Sequence, residues 1–110
     1  YKMQKFNGHD FELAWTSLNK LSKQFNMSRV EAYSKGKIHP TQKPIALYEF
    51  ILETYADNGM KILDTHGGSM SIAIACDKKG FDLDICEIDA EYFETGKKRY
   101  DEYKQQTTLF

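Results

Sequence analysis

MKILDTHGGSMSIAIACDKKGFDLDICE, residues 60–87, decides the fold. Residues 60–64 are a short apolar run closed by an acid, which reads as a buried strand. Residues 65–69 carry Gly67 and Gly68 and read as a turn. Residues 70–79 then place Ile72, Ala73, Ala75 and Cys76 inward on a helix, and Gly80 supplies its stop. Residues 81–87 form a second strand that again ends in an acid, and Asp89 caps a helix expected over 90–103. Strand, turn, helix, strand and helix at this spacing predict an α/β chain, half of a doubly wound nucleotide-binding sheet.

Upstream, Pro44 suits the first turn of a helix, and Ile45, Leu47, Phe50, Ile51, Leu52 and Tyr55 give that helix a broad apolar face. Asp57-Asn58-Gly59 ends it. The segment before it, Ile38-His39-Pro40-Thr41-Gln42-Lys43-Pro44, is pinned in extended form by two prolines. Thr41, Gln42 and the coming helix N-terminus are suited to holding a carboxylate, although an ordinary loop entering a helix uses the same residue types. Residues 19–38 are polar, basic and poorly periodic, so a loop with one short helix over 29–33 is expected. Residues 11–18 alternate apolar and polar side chains and read as a strand.

The 110 residues fit one small domain, and 41% hydrophobic with 28% charged residues is ordinary globular composition. No apolar run reaches the length of a membrane span, and no signal-peptide pattern opens the chain. Charge is unevenly placed. Residues 20–43 hold six basic side chains against Glu31, a balance of +5, whereas residues 44–110 hold 7 basic and 13 acidic, a balance of −6. A basic segment beside an acidic body suits a polyanion contact confined to one region, although a solvated loop carries the same charges. Cys76 and Cys86 lack metal-ligand spacing and read as buried free thiols of a reducing cytoplasm.

In such a sheet, ligands sit beyond the carboxyl ends of the strands. Gly67-Gly68 allows a tight turn and close backbone approach, and the following helix aims its free N–H groups at the ligand. Asp64 can accept hydrogen bonds from an ammonium group or from the turn itself. Glu87 follows 23 residues later, near the interval at which an acid takes ribose hydroxyls. The turn alone is explained equally well as plain structure, and its pairing with Glu87 is what adds weight. The glycine spacing does not suit a dinucleotide.

Three stretches carry a family resemblance: H-P-T-Q-K-P at 39–44, D-x-x-x-G-S at 64–69 and E-I-D-x-E-Y at 87–92. Together the chain resembles the beta-class DNA amino-methyltransferases of phages and restriction-modification systems, which methylate adenine N6 or cytosine N4. The resemblance implies a partial Rossmann-like, S-adenosylmethionine-dependent methyltransferase fold. It divides the chain into a late strand and basic loop from a target-recognition region (1–37), a cofactor-binding half-domain (38–104) and a tail (105–110). By position it implies Thr41, Lys43, Asp64, Gly68, Ser69 and Glu87 as contacts to S-adenosyl-L-methionine. His66 becomes a ligand-stacking residue, and Asp89 either approaches the adenine or, the favoured reading, caps its helix. The chain departs from the family where Thr65 and His66 replace Pro and Phe, where Met70 replaces the second Gly, and where Ile85 stands at a common Gly.

Family catalysis flips the target base from duplex DNA, and a D-P-P-Y-type tetrapeptide accepts hydrogen bonds from its amino group. Pro40 and Pro44 are the only prolines, so this tetrapeptide is absent, and no catalytic residue or metal site is expected within these residues. The resemblance places it upstream of Tyr1, which fits a chain cut from a longer one. Residues 11–18 would then be a late strand of the same sheet. A sheet this short exposes an edge and is expected to pair with the missing N-terminal portion or a second copy. The ending Gln106-Thr107-Thr108-Leu109-Phe110 is similar to the peptide that docks on the bacterial sliding clamp, on a tail free to reach it. The setting implied is the cytoplasm of a bacterium or a phage-infected host. A truncated, non-catalytic module that binds S-adenosylmethionine, DNA or a protein partner is the alternative.

Overall fold

The structure, a computed structural model, describes residues 2–6, 9–28, 31 and 42–108, with side chains from 13 to 107. The expected order between residues 44 and 90 is present. Pro44 stands at the N-cap of α1 (Ile45–Tyr55) in extended conformation, where its missing N–H costs the helix nothing. β3 (Lys61–Asp64) runs parallel to β4 (Asp82–Ile85), with Lys61 opposite Asp82 and Asp64 opposite Ile85. A parallel pair needs a long crossover, and α2 (Ser71–Lys79) provides it. Strand alternation turns Ile62, Leu83 and Ile85 toward the helices, while Leu63 on the other face is 66% exposed. The core is Leu52 of α1 with Ile72, Ala75 and Cys76 of α2, spaced by three and four residues along one helix face. Gly80, at φ 78°, ends α2 in the left-handed region that glycine adopts without strain.

α3 spans Ala90–Thr108 and runs past the expected end near 103. Residues 104–108 contain no Gly or Pro to stop the helix. The expected free tail is therefore helical through 108, and Leu109 and Phe110 lie outside the described residues. Near its end α3 is tied to α2: Tyr103 donates its hydroxyl to Asp77 Oδ2 and Lys104 Nζ donates to Asp77 Oδ1, each at 3.0 Å. The hydrogen bond from Lys104, with that from Tyr103, holds the Asp77 carboxyl below the usual carboxylate range. A lowered carboxyl pKa stabilises the fold above the unfolded value near about 4 and loses that contribution as pH falls through the lower folded value. The site is partly exposed, so the effect is modest. Asp77→Asn is expected to lower the melting temperature by a few degrees at pH 7 and to reduce the acid sensitivity of melting below about pH 4. Parallel melting curves of the two proteins check this.

The N-terminal part departs from expectation. β1 (Lys2–Phe6) and β2 (His9–Leu13) form an antiparallel pair, with Phe6 opposite His9 and Lys2 opposite Leu13. The strand expected over 11–18 thus starts earlier and stops at Leu13, because past that residue the described residues offer no ladder partner. Trp15 lies beyond it, 85% exposed. Nor does this strand join the parallel sheet: among the described residues β1 and β2 pair with each other, and β3 with β4. The unread signal was Asn7-Gly8, the residue pair most typical of a two-residue hairpin.

The basic stretch after β2 partly docks on α1. Lys20 Nζ donates to the Thr54 carbonyl at 3.1 Å and lies over the Tyr55 ring, while Phe25 packs on Phe50 with ring centroids 5.4 Å apart. The short helix expected over 29–33 falls mostly outside the described residues, with Glu31 helical. Both cysteines are free, but only Cys76 is buried, and burial pushes its thiol up from the ordinary value. Cys86 is exposed, because it points to the sheet face opposite the core. One thiol per chain is expected to react with maleimide under native conditions and two in denaturant, as mass spectrometry would count. Among the described residues no helix is long and apolar enough to cross a membrane.

Candidate cofactor site

The turn after β3 is held by hydrogen bonds that its sequence provides. Asp64 Oδ1 accepts the His66 N–H at 2.9 Å, and the Asp64 carbonyl accepts the Cys86 N–H at 2.8 Å. Gly67 donates its N–H to the Cys86 carbonyl at 2.7 Å, which brings the turn hard against the end of β4. A Cβ at position 67 would stand 2.7 Å from Ile85 Cγ1 and 3.3 Å from the Cys86 carbonyl oxygen. Gly68 follows with φ 55°, and Met70 closes the turn by donating its N–H to the Gly67 carbonyl at 2.9 Å.

Glu87 joins this turn to the next. Its Oε1 accepts the Gly68 N–H and its Oε2 accepts the Asp89 N–H, both at 2.8 Å. The Gly68 N–H of the turn is thus engaged by Glu87. Asp89 Oδ1 accepts the Tyr92 N–H at 2.9 Å, which is the helix cap expected of it.

Gln42, Lys43, Tyr48, His66, Gly67, Gly68, Ser69 and Glu87 line one cavity of about 230 Å³. Five of the seven expected contacts, Lys43, His66, Gly68, Ser69 and Glu87, meet there from three separate segments. Asp64 is absent from the cavity wall and instead shapes the turn behind it. Thr41 lies outside the described residues. The His66 ring is exposed, with Nδ1 2.8 Å from Thr65 Oγ1. A larger hollow of about 470 Å³ lies between α2, β4 and α3, lined mainly by apolar side chains such as Phe81, Leu83 and Phe93. It contains none of the expected residues, and convergent polar chemistry favours the smaller cavity.

Sequence reading missed the contribution of α3. Arg99 Nη1 donates to the Ser69 carbonyl at 2.9 Å and to Ser71 Oγ at 2.8 Å, with a longer contact of 3.4 Å to Ser69 Oγ. One helical turn earlier, Gly96 lets the glycine turn approach: a Cβ there would lie 2.5 Å from Met70 Cγ and 3.1 Å from the Gly68 carbonyl oxygen. Met70 is 3% exposed and has φ 65°, the one positive φ at a non-glycine among the described residues. That conformation costs about 1–2 kcal/mol, set against burial of the side chain over Gly96. Positions 96 and 99 share one face of the helix that follows Glu87, but the packing of that face on the glycine turn is long-range and has no local signal.

A parallel β-α-β unit with an acid closing each strand end, and with a glycine turn between, is the half-site of a Rossmann-like methyltransferase. The DNA methylase family model N6_N4_Mtase matches residues 1–98, and the chain belongs to that family. Among its relatives, the type II methyltransferase M.HpaI of Haemophilus parainfluenzae is 36% identical over 84 residues, 73% of this chain and 26% of the relative. The crystal structure of the M1.HpyAVI–SAM complex matches with a TM-score of 0.55 and 32% identity, over 71% of this chain and 41% of that one. The chain therefore spans about a quarter of the curated relative and two fifths of the solved one.

Proposed function

We propose that this chain binds S-adenosyl-L-methionine and forms the cofactor-binding part of a DNA methyltransferase acting on adenine N6 or cytosine N4. The observation that carries the reading is the cavity in which Lys43, His66, Gly68, Ser69 and Glu87 converge. The donor set fits the cofactor. Its amino-acid end carries a carboxylate, to which Lys43 offers a cation, and its ribose diol suits a carboxylate acceptor such as Glu87. The cavity is smaller than the 300 Å³ or so at the lower end of ligand sites, so it suits one end of the molecule. Thr41 would complete the grip from the segment just before Gln42. M1.HpyAVI, named as a complex with the same cofactor, supports the assignment by likeness.

When bound, the cofactor supplies an electrophilic methyl group on a sulfonium. The residues of this chain hold and orient it: Lys43 by charge, Glu87 by hydrogen bonds to hydroxyls, and His66 by flanking the site with its ring. The groups that act on the base must come from outside these 110 residues, because no D-P-P-Y-type tetrapeptide is present. The partners in this reading are duplex DNA with a flipped target base and an N-terminal catalytic portion or a second copy. The bacterial sliding clamp is a further partner, reached through Gln106, Leu109 and Phe110, in the cytoplasm of a bacterium or phage-infected host. The missing tetrapeptide favours one second reading, a non-catalytic module that binds S-adenosylmethionine.

Calorimetric titration tests the proposal. S-adenosylmethionine is expected to bind with a dissociation constant on the order of micromolar, and NADH is expected to show no binding. No binding by a chain whose amide spectrum is that of a folded protein overturns the reading. Methyl transfer to duplex DNA, assayed with the catalytic portion supplied, separates the enzyme from the non-catalytic module.

A further inference from the structure

We propose that Arg99 is a positioning residue for the cofactor, acting through Ser69 and the glycine turn; this rests on the cofactor reading above. The guanidinium is half-buried, and burial lowers its pKa from the ordinary value. Among the described residues it has no ion-pair partner, so no carboxylate offsets the cost of desolvating it. It also lies at the first residue of α2, where the helix dipole disfavours a cation. Neither burial nor dipole explains the placement as a gain in stability.

The geometry does explain it. One nitrogen of the planar fork gathers the Ser69 carbonyl and the Ser71 hydroxyl. Those two groups flank Met70, the residue held in left-handed conformation at the exit of the turn. Ser69 and Gly68 are walls of the cavity, and Arg99 is behind them. Arg99 thus fixes the direction in which Ser69 leaves the turn, from a helix that follows the ribose-facing acid Glu87 in sequence. α3 carries the shape of the site without touching the ligand. The hydroxyl of Ser69, shared with Ser71 at 3.1 Å, is set by the same contact.

The test compares Arg99→Met and Arg99→Lys with the natural 110-residue chain by two measurements. In ligand-free protein, amide hydrogen exchange is expected to accelerate in Arg99→Met at Gly68 and Met70, whose N–H groups bond Glu87 and the Gly67 carbonyl. Amides in α1 and in the middle of α2 should keep their protection. In titrations, S-adenosylmethionine affinity is expected to fall about tenfold in Arg99→Met, the scale of one lost hydrogen bond to a charged group, and less in Arg99→Lys. Uniformly faster exchange would show a structural role alone and overturn the proposal, as would unchanged exchange and affinity. If the natural chain binds no S-adenosylmethionine, the cofactor reading fails. The exchange pattern then still decides whether Arg99 sets the turn.

Discussion

Glu87→Ala is expected to lower S-adenosylmethionine affinity by at least about a hundredfold while leaving the chain folded. Two effects combine. In the proposed site the carboxylate receives the ribose hydroxyls, and it also accepts the Gly68 and Asp89 N–H groups that hold the two strand-end turns together. Hydrogen bonds to a charged group contribute about 1.5–3 kcal/mol each, and alanine removes all of them. The partners are backbone groups at the rim of the fold, where water can replace the acceptor, so the stability cost should stay near about 1 kcal/mol. Glu87→Gln keeps one carbonyl acceptor and should fall between the two. Calorimetric titration with a parallel melting curve checks both parts. An affinity within about threefold of the natural chain would remove Glu87 from the site.

Gly67→Ala should be among the most damaging single-methyl changes. The added Cβ would meet Ile85 Cγ1 at 2.7 Å and Cδ1 at 2.8 Å, with the Cys86 carbonyl oxygen behind at 3.3 Å. Ile85 cannot relieve this by swinging its tip, because the inner carbon is also too close. Overpacking of this kind costs about 1–3 kcal/mol, which at about 4–8 °C per kcal/mol places the melting temperature roughly 4–24 °C lower. Gly59 is the control: its φ is 88°, but nothing lies within 4 Å of an added Cβ. Gly59→Ala should cost only its backbone strain, about 1–2 kcal/mol. Adding Ile85→Ala should make Gly67→Ala much less costly, and a double-mutant cycle measures that coupling. Equal melting of Gly67→Ala and the natural chain would contradict the close approach.

The β3–α2–β4 unit was legible because each of its elements is decided locally. Apolar runs ending in acids, a helical stripe of Ile72, Ala75 and Cys76, and Gly80 as a stop leave few alternatives. The convergence of His66 and Glu87 followed from the topology, since parallel strands place their carboxyl ends side by side. Asp64 was read in two ways, and its bond to the His66 N–H shows the structural one. What escaped was long-range or context-dependent. Strand length near Leu13 depends on how far β1 can pair, and the exposure of Cys86 depends on which sheet face is covered. The role of Arg99 depends on α3 packing across the turn, which no local pattern announces.

Met70 and Gly96 are two halves of one packing contact drawn from distant points of the chain. Glycine at 70 would relieve the left-handed backbone but leave a void where the methionine side chain crosses Gly96. A methyl at 96 would refill part of that void and strengthen α3 as well. Lineages that carry glycine at 70 are therefore expected to carry alanine or a larger residue at 96, and the two exchanges should be tolerated only in company. Swapping either position between relatives one at a time would misjudge both.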